Sequence, residues 1–255
     1  MMQKYAIRCA ESRDIEAIMR VEHQSFAAGI AETQAVFAER LACAARCNYV
    51  LLSSDSQSVC GYVTAEIWEK APFDPALFSL GHSVREQHRP DGTTLYISSF
   101  ALLPEVRGTR IPCTDIPGAL RCAEAESNVI STQLSCMRST QAAQPASEQY
   151  QIGTDGDTAD TGGNQRTVPA KDQNHTVGLA ALFFSAALER IIASFPQLER
   201  IVLLVHEDWR KAIALYEAYG FTRMHTLEQF AWFGGKRAFI YEKALDTQSH
   251  RGPNG

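Results

Sequence analysis

The sequence predicts a mixed α/β (α+β) fold with a central sheet of six to seven strands, about four flanking helices and one long insertion. Segments with strand-like alternation and segments with helical spacing follow each other in the order β, α, α, β, β, β, α, β, α, β, β. The 255 residues are 45% hydrophobic and 21% charged, which is typical of a globular protein. A polar stretch at residues 110–177 interrupts the pattern.

The first half of the chain predicts a strand, two helices and a hairpin. Apolar residues alternate at 5–9, as in a half-buried strand, and then recur at helical spacing from Ile15 to Val21. A second helical pattern runs from Glu32 to about Cys47. Two strand-like segments, 49–52 and 59–68, flank a polar turn and therefore predict a β-hairpin.

The second half predicts a central strand, a crossover helix and a last helix between strands. Residues 95–103 are apolar enough for a central strand, which ends before a proline because proline cannot donate to a ladder. A helical stripe from Leu179 to Ile191 predicts the crossover helix. A short strand at 201–205, a helix from Trp209 to Tyr219 that Gly220 ends, and a terminal hairpin complete the order.

The insertion divides one domain into two halves. Residues 1–109 and 178–245 supply these halves, and 246–255 form a polar tail that we expect to be frayed. Ser, Thr, Gln, Gly and Asp dominate residues 131–173, and such a composition buries too little apolar surface to offset the entropy of ordering. We therefore expect the insertion, residues 110–177, to be disordered.

Charge and cysteine content argue against several classes of protein. The net charge of -5, from 24 basic and 29 acidic residues, is too mild to suggest nucleic acid or a membrane surface as a partner. No apolar run approaches the roughly 20 residues that cross a bilayer, and the polar start lacks the apolar core of a signal peptide. Seven cysteines without a CxxC pair suggest neither a disulfide framework nor a zinc site. We expect a cytoplasmic protein without a metal; its oligomeric state stays open.

Two motifs carry the chemistry. An Arg-Gly-Thr run (107–109) follows the central strand, and a Gly-Leu-Ala run (178–180) begins the crossover helix. Joined across the insertion, these two runs form the first motif, which resembles the R-x-x-G-x-A signature of the GCN5-related N-acetyltransferase (GNAT) superfamily. Residues 214–221, ALYEAYGF, resemble the A-L-Y-x-x-x-G-F helix end of the same superfamily. Small residues let the backbone approach a diphosphate, and the positive end of a helix favours its charge.

The resemblance implies the GNAT fold and direct transfer of an acetyl group from acetyl-CoA, a co-substrate, to an amine. A main-chain N–H in a splayed part of the central strand would polarise the thioester carbonyl, and Tyr216 would protonate the departing thiolate. The residues implied in binding acetyl-CoA are Phe100, Ala101 and Leu102 on the strand, Arg107, Gly108 and Thr109 in the loop, and Gly178, Leu179, Ala180 and Ala181 at the helix start.

Glu22 and His82 are the two candidates for the general base, and Glu66 on the third strand ranks after them. A histidine has an ordinary pKa of about 6.5, so it can accept a proton near neutral pH without a shift of that pKa. A glutamate needs a raised pKa or acts through water.

Within the superfamily, the chain is most similar to arylalkylamine N-acetyltransferases. Residues Glu22–Phe26 resemble their E-x-x-[AS]-F segment, and Gly81–Ser83 resemble their G-H-S stretch. Tyr96 and Ser98 stand where that subfamily has two central-strand histidines, so its water-relayed proton path is not implied here. Trp209 stands where many members of the superfamily have Asn.

The acceptor predicted from this likeness is a small primary amine of arylalkylamine or polyamine type. Aromatic residues that suit an arylalkylamine are Trp68, Phe73, Phe78, Phe230, Trp232 and Phe233. Carboxylates that suit a polyamine are Glu66, Glu69, Asp74 and Glu86. The alternatives are a protein or peptide N-acetyltransferase, and a non-catalytic acyl-CoA-binding protein whose loop the insertion has disabled. Because excision restores the motif, the insertion is either a tolerated loop or non-coding sequence retained in the gene model.

Overall fold

The computed structural model describes residues 5–53, 55–69, 75–116, 118 and 176–246, and its main feature is a seven-stranded mixed sheet. The strands, in chain order, are β1 (Tyr5–Cys9), β2 (Tyr49–Ser53), β3 (Val59–Trp68), β4 (Thr94–Leu102), β5 (Arg110–Pro112), β6 (Thr176–Gly178), β7 (Arg200–His206), β8 (Thr222–Leu227) and β9 (Ala238–Ala244). The large sheet has the order β1-β2-β3-β4-β7-β9-β8, and β5 pairs with β6 in a separate ribbon. Among the described strands of the large sheet, only β4 and β7 pair in parallel.

Helices cover both faces of this sheet. They are α1 (Ile15–Ser25), α2 (Gln34–Cys43), α3 (Val84–Gln87), α4 (Leu179–Ser194) and α5 (Arg210–Ala218). The predicted order of elements and the mixed α/β fold are confirmed; the one-turn α3 and the β5–β6 ribbon are additions. Within the described ranges, no helix is both long and apolar enough to cross a membrane.

Helix α2 ends at Cys43, earlier than the predicted Cys47, because the chain continues as a 3-10 turn over Ala45–Cys47. The amide of Asn48 donates hydrogen bonds to the backbone carbonyls of Arg40 at 3.3 Å and Ala44 at 2.6 Å. Each of these carbonyls also accepts a backbone N–H at 2.8 Å, that of Arg40 from Ala44 and that of Ala44 from Cys47. The buried amide of Asn48 is therefore a second partner for both, and it joins the end of the helix to the start of β2.

Strand β3 is buried along its whole length and has two chemically different faces. Its odd-numbered side chains are small or aliphatic, whereas its even-numbered ones include Tyr62, Thr64 and Glu66. The ring of Tyr62 packs edge-on against Phe37 of α2 at 5.4 Å, which places the even face under α1 and α2. The opposite face of the sheet is covered by α4. The polar half of β3 therefore lies inside the protein.

The two central parallel strands separate along their length. Residue Thr64 of β3 pairs with Ser99, and Ala65 pairs with Ile97, so Ser98 is an extra, bulged residue in β4. Pairing of β4 with β7 runs only from Thr94 to Ile97, although β4 continues to Leu102 and β7 to His206. A V-shaped opening, here called the cleft, therefore separates the second half of β4 from the end of β7.

The two ends of the insertion meet in the structure. Strands β5 and β6 pair antiparallel, and the Arg110 side chain donates to Thr176 Oγ1 at 2.7 Å. Beside this ribbon, the Leu179 N–H donates to the Thr109 carbonyl at 2.9 Å. The predicted disorder thus does not extend to the first and last residues of the insertion. Residues 117 and 119–175 and the tail from 247 lie outside the described residues.

Replacing residues 113–175 with an Asn-Gly turn is expected to leave the domain folded, with an unchanged or higher melting temperature. Because Pro112 and Thr176 are antiparallel partners, a two-residue turn suits the distance between them. Each halving of the length of a loop lowers the entropic cost of closing it by about 0.6 kcal/mol. Thermal unfolding followed by circular dichroism measures the effect. A fall of more than about 4 °C, equivalent to roughly 1–2 kcal/mol, would contradict the expectation.

Candidate active site

The loop after β4 and the start of α4 form one surface, which is exposed at Gly108 and half-buried at Gly178, Ala180 and Ala181, while the Leu179 side chain is buried in the core. Gly108 has a φ of +78°, a left-handed conformation that favours glycine, and it turns the chain back toward β5. At both Gly108 and Gly178, a Cβ atom would meet no other atom within 4 Å. Ala180 and Ala181 lie in the first turn of a 16-residue helix, whose amide groups and dipole attract negative charge. This surface is suited to an anion such as a diphosphate.

Arg107 joins the loop to its neighbours. Its Nε atom donates to the carbonyl of Leu102 at 2.8 Å, and its Nη2 atom donates to the hydroxyl of Ser25 at 2.8 Å. The guanidinium therefore connects the loop to the end of β4 and the end of α1. These two hydrogen bonds fix the direction in which the chain leaves the sheet.

The free edge of β4 presents backbone donors to the cleft. The N–H of Leu103 donates to the carbonyl of Cys60 at 2.8 Å, so it points toward β3. Because successive amides of a strand point to opposite edges, the N–H groups of Phe100 and Leu102 point away from β3 and into the cleft. The amide of Ala101 points toward β3. The sequence predicted that these three residues lie on a splayed part of the strand, and β4 is indeed unpaired with β7 beyond Ile97. Their contact with acetyl-CoA stays a prediction.

Tyr216 is held by the cap of helix α5. Gly220 has a φ of +85°, which lets the Phe221 N–H donate to the Tyr216 carbonyl at 3.0 Å and the Gly220 N–H donate to the Glu217 carbonyl at 3.0 Å. This is a Schellman motif, and its hydrophobic contact is the Tyr216–Phe221 ring pair at 5.9 Å. The Tyr216 ring also lies 5.5 Å from Phe184 of α4. Burial raises the pKa of Tyr216, so its hydroxyl stays protonated at neutral pH.

Glu22 is one of the most buried charged residues of the structure, with 1% of its surface exposed. Its Oε1 atom accepts the backbone N–H of Glu32 at 2.9 Å, and its Oε2 atom accepts the hydroxyl of Tyr62. Burial raises the pKa of Glu22, and the two hydrogen bonds partly oppose this increase. A carboxyl group with a raised pKa accepts a proton more readily near neutral pH.

His82 has both ring nitrogens occupied. Nδ1 bonds to the Ser79 carbonyl at 3.0 Å, and Nε2 bonds to Glu66 Oε1. Burial acts to lower the pKa of His82, but the hydrogen bond and charge of Glu66 outweigh it and the pKa is raised. A carbonyl accepts only from a protonated nitrogen, so in this arrangement the ring has no lone pair free to take a proton from an amine.

A buried ion pair connects the surroundings of Glu22 and His82. Both terminal nitrogens of Arg40 bond to the Glu32 carboxylate, and Glu32 Oε1 also accepts the Gly81 N–H at 3.0 Å. Gly81 precedes His82, and the Glu32 backbone donates to Glu22. The two candidate bases are therefore anchored to one buried polar network. Among the described residues, no three His, Cys, Asp or Glu side chains come together as a metal site requires.

The aromatic residues predicted at the acceptor end pack against each other. A second apolar cluster, separate from the main core, contains Trp68, Phe78, Tyr96, Val202, Phe230, Phe233, Ala238 and Ile240. Within it, the rings of Trp68 and Tyr96 stack at 4.1 Å. Trp232 is 44% exposed. Phe73 and Asp74 fall outside the described residues. Most of these aromatics therefore belong to one cluster of packed rings.

The aromatic rings of Phe26 and Trp209 contact each other across the cleft. Phe26 follows Ser25, whose hydroxyl donates to Leu102 of β4, and Trp209 follows β7, where its N–H donates to the His206 carbonyl. The two rings are 5.3 Å apart. Trp209, at the position where many superfamily members have Asn, thus contributes an apolar surface.

Four residues of this region were not predicted from the sequence: Tyr62, Ser99, Arg40 and His206. The sequence of β3 did indicate Tyr62, because polar residues at every second position of an otherwise apolar strand predict a buried polar face. His206 is buried between the rings of Trp209, at 5.6 Å, and Phe233, at 4.8 Å, and its Nδ1 accepts the Asp208 N–H at 3.0 Å. Nothing in the sequence around Ser99 or Arg40 distinguished them from ordinary residues.

Neither a family model nor a curated protein sequence matches the chain. Solved structures do match, and the fold they share with it is the GNAT fold. The NatC complex bound to Gag peptide and CoA matches with a TM-score of 0.54 and 13% identity, covering 95% of this chain and 99% of that one. NAA60 of Arabidopsis thaliana, solved with a bisubstrate analogue, matches with a TM-score of 0.53 and 12% identity, covering 96% and 99%.

A third match shows how varied this fold is. The GNAT-like decarboxylase GphF, solved with isobutyryl-CoA, has a TM-score of 0.50 and 13% identity, covering 94% of this chain and 99% of that one. At such identities the likeness shows the fold alone. The chain therefore has the fold of the GNAT acetyltransferases, whose members act on varied substrates. The arylalkylamine-like subtype stays a prediction.

Proposed function

We propose that this protein is an acetyl-CoA-dependent N-acetyltransferase that transfers the acetyl group directly to a small primary amine. The observation that carries the proposal is the closure of the split loop. The Thr109 carbonyl accepts the Leu179 N–H at 2.9 Å, which reunites the two halves of the R-x-x-G-x-A-like segment at the start of α4. The insertion is therefore compatible with an intact loop for the diphosphate.

The proposed path of acetyl-CoA follows from this loop. Its diphosphate would lie on Gly108, Gly178 and the first turn of α4, where small residues leave space and the helix dipole favours negative charge. Its thioester would enter the cleft, with the carbonyl oxygen accepting the N–H of Phe100. Such a fixed donor stabilises the negative charge that develops on this oxygen during transfer. Tyr216 would donate its proton to the departing sulfur.

The surroundings of the cleft support an acceptor with an apolar body. The half-buried Phe26 and Trp209 supply aromatic surface near the opening, and the buried Phe233 packs 5.5 Å from Trp209. The carboxylates that a polyamine would need are less suitable. Glu66 is buried against His82, while Glu86 is an exposed residue of α3. An arylalkylamine therefore fits these contacts better than a polyamine.

An acceptor panel tests this proposal. Thiol release from acetyl-CoA is measured with phenethylamine, spermidine and a peptide with a free N-terminus, and we expect phenethylamine to give the highest kcat/KM. Turnover of the peptide alone would indicate a peptide N-acetyltransferase. Binding of acetyl-CoA without turnover of any acceptor would indicate a non-catalytic acyl-CoA-binding protein.

A matched pair of variants tests where acetyl-CoA binds. Ala180→Glu places a negative charge in the first turn of α4, where it is compatible with the helix but would repel a diphosphate. We expect its Kd for acetyl-CoA, measured by isothermal titration, to rise at least about tenfold. The control Ala35→Glu makes the same change at an exposed position in the first turn of α2 and should leave the Kd unchanged. Equal values for the two variants would contradict the assigned site.

A further inference from the structure

Glu22 has no direct route to a substrate. Its side chain is almost completely buried, and both carboxylate oxygens already accept hydrogen bonds, one from the Glu32 backbone and one from the Tyr62 hydroxyl. An amine in the cleft therefore cannot touch it. If Glu22 is to receive a proton from the reaction, another group must carry that proton inward.

A chain of hydroxyl groups leads from Glu22 toward the cleft. The Tyr62 hydroxyl is 2.7 Å from Ser99 Oγ. Because Tyr62 donates its only proton to Glu22, the Ser99 hydroxyl must be the donor in this second bond. Glu22 and Tyr62 are buried, whereas Ser99 is half-buried and is therefore the outermost member of the chain.

The position of Ser99 results from the bulge in β4. Ser99 follows the bulged Ser98 and lies two residues beyond Ile97, where pairing with β7 ends. The next residue, Phe100, directs its N–H into the cleft. A group bonded to Ser99 and a carbonyl bonded to Phe100 would thus lie on adjacent residues of the free strand edge.

We propose that Ser99, Tyr62 and Glu22 form a proton relay that removes the proton from the acceptor amine during acetyl transfer. This inference rests on the proposed function and identifies how the amine is deprotonated. Ser99 is the catalytic residue in this relay because it touches the amine. Tyr62 and Glu22 act through it and are positioning residues in that sense.

The relay balances the proton transfers of the reaction. The amine nitrogen forms a bond to the thioester carbon, and the bond between carbon and sulfur breaks. The nitrogen proton passes to Ser99 Oγ, the Ser99 proton to Tyr62 Oη, and the Tyr62 proton to Glu22 Oε2. Tyr216 supplies the proton that the sulfur takes. Glu22 is then protonated and Tyr216 deprotonated, and exchange with water restores both after the products leave.

The groups around Glu22 suit it to hold a proton for a short time. Those that face it are Tyr62 from β3, Glu32 from the segment before α2, and Arg40 from α2. Burial and the charge of Glu32 raise the pKa of Glu22, while its hydrogen bonds and Arg40 oppose the increase. His82 does not compete for the proton because both of its nitrogens are engaged.

Four variants with two matched controls test the relay. Ser99→Ala, Tyr62→Phe, Glu22→Gln and the double variant Tyr62→Phe/Glu22→Gln each break it. Ser98→Ala removes a neighbouring hydroxyl that bonds to Thr64 instead, and Tyr241→Phe removes a tyrosine hydroxyl that bonds to Glu217 at 2.8 Å. Circular dichroism and the Kd for acetyl-CoA establish that each variant is folded. The readout is kcat as a function of pH with the best amine of the panel.

We expect each relay variant to lower kcat by about 100-fold and to lose the acidic limb of the wild-type pH profile, while the controls stay within about twofold. The double variant should lose no more than either single variant, because residues that act as a unit are not additive. If wild type is active and the relay variants match their controls, or if the losses multiply, the relay is wrong and the proposed function stands. A wild-type protein that transfers no acetyl group overturns both.

Discussion

Replacing Arg40 with methionine is expected to lower the free energy of unfolding by about 3–5 kcal/mol, because it leaves a buried carboxylate without its partner. Arg40 is 2% exposed and bonds to both oxygens of the Glu32 carboxylate. Methionine fills much of the same space but supplies no charge. Urea unfolding at pH 7 measures the change.

Two further variants show whether the lost charge is the cause. Arg200→Met breaks the partly exposed Arg200–Glu242 pair, whose atoms are 3.5 Å apart, and should cost less than about 1 kcal/mol. Adding Glu32→Leu to Arg40→Met removes the unpaired charge and should restore part of the stability. A loss for Arg40→Met as small as that for Arg200→Met would show that the buried pair does not stabilise the fold.

Replacing Tyr216 with phenylalanine is expected to lower kcat by about 100-fold while the Kd for acetyl-CoA stays within about twofold. The ring and its contacts with Phe184 and Phe221 are retained, so the change removes only the hydroxyl proposed to protonate the sulfur. Single-turnover kinetics with acetyl-CoA and the best amine separate this step from product release.

Tyr219→Phe provides the matched control for this variant. Tyr219 lies one turn further along the same chain segment, and its ring also contacts Phe184, at 5.4 Å. Its hydroxyl donates to Ser185 Oγ at 2.6 Å instead of facing a proposed reacting atom. Equal effects of the two substitutions on kcat would remove Tyr216 from the role of the acid.

Local patterns in the sequence were enough for the order of elements and for the glycine cap of α5. Hydrophobic periodicity predicted α4 and β4, and Gly220 predicted the end of α5, because these features depend on neighbours within a few residues. The limits of such patterns are visible at α2. The helix gives way to a 3-10 turn before Cys47, and the buried Asn48 amide bonds to its last turn, contacts that no local pattern indicates.

The sequence by itself determined the α/β order, the split loop motif and the helix end that carries Tyr216. Only the tertiary structure decided which side chains meet. Glu22, Tyr62 and Ser99 come from three separate elements, and the bulge at Ser98 depends on how β4 pairs with β3. Burial and charge balance around Glu22 arise from packing α1 and α2 on β3. These long-range contacts set the chemistry of the carboxyl group, and no local pattern in the chain encodes them.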